Sequence, residues 1–141
     1  MPFTIQGTGP SAYQEPINGN GNVTYEQFLA QNPAIGYLKI QASRAQKAIP
    51  ISNLRIVVMQ EFNGLQVLFF DGKTDPNGII SSLGLPAPPL AGSLDPQSAK
   101  SGAVYQVYAT HPDFEPARYQ IEMFEGVTAI LPVTPQLARE V

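Results

Sequence analysis

The residues best suited by type and spacing to do chemistry lie in "FFDGKTDPNGIISSLGLPAPP", residues 69–89, where Asp71, Asp75 and Asn77 cluster before Gly78. A calcium loop of helix-loop-helix type needs oxygen ligands at alternate early positions and a bidentate glutamate at its end. Counted from Asp71, the second ligand position holds Lys73, a cation, and the last holds Ser82. Gly72-Lys73-Thr74 mimics the end of a phosphate-binding loop, but the upstream glycine is missing and no helical pattern follows. Asp75-Pro76-Asn77-Gly78 instead has the chemistry of a turn. Proline presets φ, Asn-Gly tolerates positive φ, and the aspartate side chain caps nearby amides.

The single histidine, His111, stands in "THPDFEP" with Asp113 and Glu115 close behind. Either acid could orient an imidazole for a small hydrolase. There is no second histidine and no cysteine, so a histidine metal site or Cys-His pair is excluded. No serine lies in a G-x-S-x-G elbow. The acid pairs Glu122/Glu125 and Asp113/Glu115 read as polar strand faces or turns. The expectation is therefore a protein without enzymatic activity, with no cofactor and no metal. Aromatic residues are the better lead. Tyr37, Tyr105 and Tyr108 sit on alternating strands and the adjacent Phe69 and Phe70 point to opposite sides, so some aromatic surface is expected to face a partner or to be covered by Tyr25, Phe28 and Leu29 of the N-terminal helix.

The elements that must position these residues are short. Only 13% of the 141 residues are charged, against roughly 25% in an average soluble protein. Fourteen prolines and twelve glycines break the chain often. A formal charge of -3 with eight Lys and Arg offers no basic field for nucleic acid. No apolar run approaches the roughly 20 residues that span a bilayer, so no membrane insertion is expected. The N-terminus has neither a basic nor an apolar signal region, so synthesis in the cytoplasm is expected.

Residues 1–22 have low apolar density and read as a flexible or extended arm, which could strap together a homo-oligomer or a phage-like particle. Residues 23–33 hold a short helix. Thr24 and Gln27 have capping-box spacing, Tyr25, Phe28 and Leu29 form its apolar stripe, and Pro33 stops it. From residue 36 the period changes to two, placing Leu38, Ile40 and Ala42 on one face and then Leu54, Ile56 and Val58 on another. Asn63-Gly64 makes a hairpin. "LQVLFF", apolar on both faces, reads as a central or partner-covered strand. Glu125-Gly126 predicts a second hairpin, into an edge strand that contains Pro132. Residues 84–101, "GLPAPPLAGSLDPQSAKS", read as a long loop of extended, polyproline-like start. The fold predicted is an all-β antiparallel sandwich of about seven strands over residues 34–136, followed by a tail at 137–141.

"Thr74-Asp75-Pro76-Asn77-Gly78" after an apolar strand resembles the T-D-x-x-G turn of carboxypeptidase regulatory-like domains, which have a prealbumin-like (transthyretin-like) sandwich. "VYATHPDFEPARYQ" looks like the strand and A-x-G-Y-x-P corner of that family, with Phe114 for the usual tyrosine and Asp113 for the usual glycine. "TYEQFLAQNPAIGYLKIQASRAQKAIPI", "TDPNGIISSLGLPAPP" and "IEMFEGVTAILPVTP" together resemble a variant near the N-terminus of clostridial spore cortex-lytic proteins. The resemblance implies a non-catalytic accessory module, associated with spore cortex or cell wall, that meets a protein or a peptidoglycan-type glycan. In fold only, the chain also resembles the transthyretin-like hydroxyisourate hydrolases, whose histidine-rich site and tyrosine-rich C-terminal tetrapeptide are absent. The contact surface expected comprises Tyr37, Tyr105, Tyr108, Pro86, Pro88, Pro89 and Leu90.

Overall fold

The capping box sets the first element. In the computed structural model, which describes residues 23–44, 48–90 and 102–138, α1 spans Tyr25–Gln31. The Thr24 hydroxyl accepts the Gln27 N–H at 3.1 Å, and the Gln27 side chain accepts the Thr24 N–H at 3.0 Å. At the other end the Asn32 side chain donates to the Phe28 carbonyl at 2.8 Å, before Pro33. Only Phe28 of the apolar stripe is buried; Tyr25 is half-buried and Leu29 is exposed. The proposed arm, residues 1–22, lies outside the described residues, as do residues 45–47, 91–101 and 139–141.

Eight strands follow: β1 Ala34–Arg44, β2 Ile49–Pro50, β3 Arg55–Phe62, β4 Leu65–Lys73, β5 Ile79–Ala87, β6 Ala103–His111, β7 Phe114–Met123 and β8 Thr128–Val133. One sheet places β1 between β5 and β8, with β2 pairing the last two residues of β1. The other runs β4-β3-β6-β7. Every pairing is antiparallel except β1 with β8. The two sheets close a core in which Leu38, Ile40 and Ala42 of β1 meet Leu54, Ile56 and Val58 with Tyr105, Val107 and Ala109 of β6. The chain is thus the β-sandwich expected, and both period-two assignments hold.

The turn at 75–78 explains its own sequence. The Asp75 carboxylate accepts the N–H groups of Asn77 and Ile79, both at 2.9 Å. Gly78 has φ +78, and a Cβ there would lie 2.3 Å from the Ala42 carbonyl, so the turn can dock on β1 only with glycine. Thr74 reaches the other way: its buried hydroxyl donates to Ile51 O at 2.7 Å and accepts Leu54 N–H at 3.0 Å. The Thr74 and Asp75 side chains thus serve the backbone around them.

Four expectations need correction. "LQVLFF" is not central: β4 is an edge strand, and Leu65 and Leu68 are exposed. A skip in the β3–β4 register leaves Phe69 unpaired between Leu68 and Phe70, so both phenylalanines pack against the core rather than on opposite sides. Glu125-Gly126 is a turn but not a hairpin, because β7 and β8 belong to different sheets. The segment expected to be a loop from residue 84 remains strand as far as Ala87. Leu85 and Ala87 are fully buried there, and Pro86 is tolerated because β5 is an edge. Pro132 does lie in an edge strand, as expected.

After β8 the chain crosses between sheets again. Glu115 N–H donates to Gln136 O at 2.8 Å and Ala138 N–H to Asp113 O at 3.0 Å, which lays residues 136–138 along the start of β7.

Candidate functional site

Register assembles one apolar surface that spacing alone does not reveal. Alternation along β1 sends Leu38 and Ile40 inward and Ile35, Tyr37 and Lys39 outward. The partner strands place Pro86 opposite Ile35, Gly84 and Thr128 beside Tyr37, and Ile130 beside Lys39. The outer face of β5-β1-β8 therefore carries Ile35, Tyr37, Pro86 and Ile130, with Ile35 50% and Ile130 58% exposed. Gly84 leaves room for its neighbours: a Cβ there would touch Ile35 Cγ2 at 3.3 Å. The same end holds the exposed Val127 and Leu90. Gly126 N–H donates to Ile35 O at 2.9 Å, and the adjacent Glu125 carboxylate accepts the Leu90 N–H at 2.5 Å. Tyr37, Pro86 and Leu90, chosen from sequence, are thus brought to one region, with Pro88 half-buried and Pro89 exposed between the last two. Ile35, Val127 and Ile130 were missed; β-alternation on either side of Tyr37 was the signal for Ile35.

Two of the tyrosines do not join them. Tyr105 is fully buried, contrary to the exposure expected of it, because β6 points residues 103, 105, 107 and 109 into the core. Its ring stands edge-on to Phe69 at 5.1 Å and Phe28 at 6.0 Å, and its hydroxyl donates to Pro86 O at 2.6 Å. Burial pushes the Tyr105 hydroxyl far above the ordinary tyrosine value, and Tyr25 adds to the shift. The folded protein therefore keeps this proton while the unfolded chain loses it above about pH 10, so stability present below that pH falls as pH rises further. Urea midpoints measured at about pH 8 and about pH 11 should diverge more in the wild type than in Tyr105→Phe. Tyr108 lies on the outer face of the other sheet, where the Arg118 guanidinium stacks 5.7 Å from its ring and donates to its hydroxyl at 3.3 Å.

The histidine stands elsewhere. His111 and Asp113 line an open groove of about 700 Å3 between residues 49–52 and the β6–β7 turn, at the end of the sandwich where β1 finishes. Nδ1 of His111 accepts the backbone N–H of Asp113 at 3.0 Å, and the ring meets Phe114 edge-on at 5.3 Å. The imidazole is thus held by the Asp113 main chain, not by its carboxylate as a catalytic dyad would require. The carboxylates of Glu122 and Glu125 are likewise engaged, capping the N–H groups of Gly102 and Leu90. Among the described residues no group of three or more His, Asp or Glu could hold a metal ion, and no helix is long and apolar enough to cross a membrane.

No family model matches the chain, and no curated protein matches it. Solved structures do. The TIE protein of Bacillus anthracis superposes with a TM-score of 0.52 at 19% identity, covering 74% of this chain and 17% of that one. The shaft pilin SpaA of Lactobacillus rhamnosus GG, as an E269A/D295N double mutant, gives 0.51 at 11% identity, covering 77% and 51%. The chain thus spans about a sixth of the first and half of the second. Klebsiella pneumoniae 5-hydroxyisourate hydrolase is more distant, at 0.45 and 12% identity over 75% and 99%. The likenesses to the TIE protein and the pilin are of fold alone, a β-sandwich.

Proposed function

We propose that this chain is a non-catalytic binding and assembly module, which docks a protein of the spore cortex or cell wall through the outer face of β5-β1-β8. The observation that carries this reading is the exposed row Ile35, Tyr37 and Ile130 on a regular sheet face. Exposed apolar side chains grouped on one sheet face, here with Thr128 and Lys39 beside them, mark interaction surfaces more often than isolated ones do. A protein suits it better than a glycan. Saccharides need ring faces with convergent polar groups, whereas here one tyrosine stands among aliphatic side chains. The likeness to a shaft pilin and to the TIE protein is one of fold, and such a module is compatible with it.

The test compares sedimentation with cell-wall sacculi that retain their proteins and with sacculi stripped to glycan. Wild type should pellet with the first only, and Ile130→Asp should abolish this while its circular dichroism stays unchanged. Equal pelleting with stripped glycan would overturn the protein partner, and pelleting with neither would overturn the module. The rival, a hydrolase using His111 and Asp113, requires sacculus cleavage that His111→Ala removes.

A further inference from the structure

The groove at the far end of β1 has a chemistry of its own. Its floor includes Ile51 and Phe114, both buried. On its walls stand three donors, the Arg44 guanidinium, the Ser52 hydroxyl and His111 Nε2, and one acceptor, the Asp113 carboxylate. Among the described residues, none of these four groups makes a hydrogen bond or ion pair. The tautomer at His111 is set by the fold. Nδ1 accepts the Asp113 N–H, so the neutral ring carries its proton on Nε2.

We propose that this groove binds the C-terminal end of a peptide with an apolar last residue. The terminal carboxylate has the acceptors for Arg44, Ser52 and His111 Nε2–H. The last amide N–H suits the Asp113 carboxylate, and the apolar side chain covers Ile51 and Phe114. A phosphate fits less well. A dianion beside Asp113 would face a single guanidinium, with neither a helix N-terminus nor a nest of amides lining the groove among the described residues. A simple fatty acid would leave Asp113 without a donor. The volume of about 700 Å3 lies in the range of small-ligand sites. This surface is at the opposite end of β1 from Ile35 and Tyr37, and the proposal does not depend on what covers that face.

The test is an NMR titration of the full 15N-labelled chain with three probes: N-acetyl-Ala-Leu as the free acid, its C-terminal amide, and N-acetyl-Ala-Glu amide. The free acid should shift the Ile51, Asp113 and Phe114 amides and the His111 ring nitrogens. The two amides should bind at least about tenfold more weakly, and Arg44→Gln should weaken the acid by about tenfold. Ser52→Ala, a milder change, should weaken it less. Equal affinity of the free acid and either amide would overturn the proposal. So would shifts outside the groove, no shifts at about 10 mM free acid, or unchanged affinity in Arg44→Gln.

Discussion

Phe28→Ala should lower the free energy of unfolding by about 3–5 kcal/mol, read from urea denaturation at neutral pH. The ring is 1% exposed and meets Phe62 at 5.2 Å, Phe69 at 6.0 Å and Tyr105 at 6.0 Å. These three belong to β3, β4 and β6, so the cavity left by truncation would open between strands that cannot collapse independently. The seven residues of α1 are also too few to remain helical unsupported. Loss of the anchor should therefore release the helix as well as empty the site. Leu29→Ala is the matched control on the exposed side of the same helix and should stay within about 0.5 kcal/mol of wild type. A loss below about 1 kcal/mol for Phe28→Ala would show that docking of α1 contributes little to stability.

Thr74→Val should cost about 2–4 kcal/mol although the two side chains have nearly the same shape. Thr74 is 3% exposed, so water cannot replace its hydroxyl. Removing it strands the Ile51 carbonyl and the Leu54 N–H together, each at about 1–3 kcal/mol. Thr74→Ser keeps both hydrogen bonds and should lose about 1 kcal/mol, the value of one buried methyl. Equal destabilisation by valine and serine would assign the effect to packing and remove the hydrogen-bonded bridge from the account.

What could be read before folding divides along a physical line. Local chemistry was legible. The capping box at Thr24 and Gln27, the Asn63-Gly64 hairpin and the Asp75–Gly78 turn depend on residues a few positions apart, and all three formed. The inward sets of β1 and β3 were legible because one face of each is apolar, save for Gln60 in β3. Sheet membership was not. Nothing near Glu125-Gly126 distinguishes a hairpin from a crossing between sheets, since the choice depends on where β1 already lies. The skip at Phe69 was hidden for the same reason: a bulge changes which face a residue occupies, and its cause is the facing strand. For the site, Tyr37 and Pro86 were named separately from sequence, and only the β1–β5 register makes them neighbours. Tyr105 failed because β6 is buried on its inner face and partly covered on its outer one, so a tyrosine on that strand carries no mark of its side. The groove at His111 joins residues from the end of β1, the β6–β7 turn and the segment after β8, a combination that no spacing encodes.

The parallel pairing of β1 with β8 bears on how the domain would respond to force. The first and last long strands lie side by side over six residue pairs, from Tyr37–Thr128 to Ala42–Val133. Tension applied to the N-terminal end of β1 and the C-terminal end of β8 therefore runs along this ladder in opposite directions. Its hydrogen bonds are stretched together in shear instead of being unzipped one at a time. Residues 136–138, held on the other sheet by β7, would peel away before that ladder is engaged.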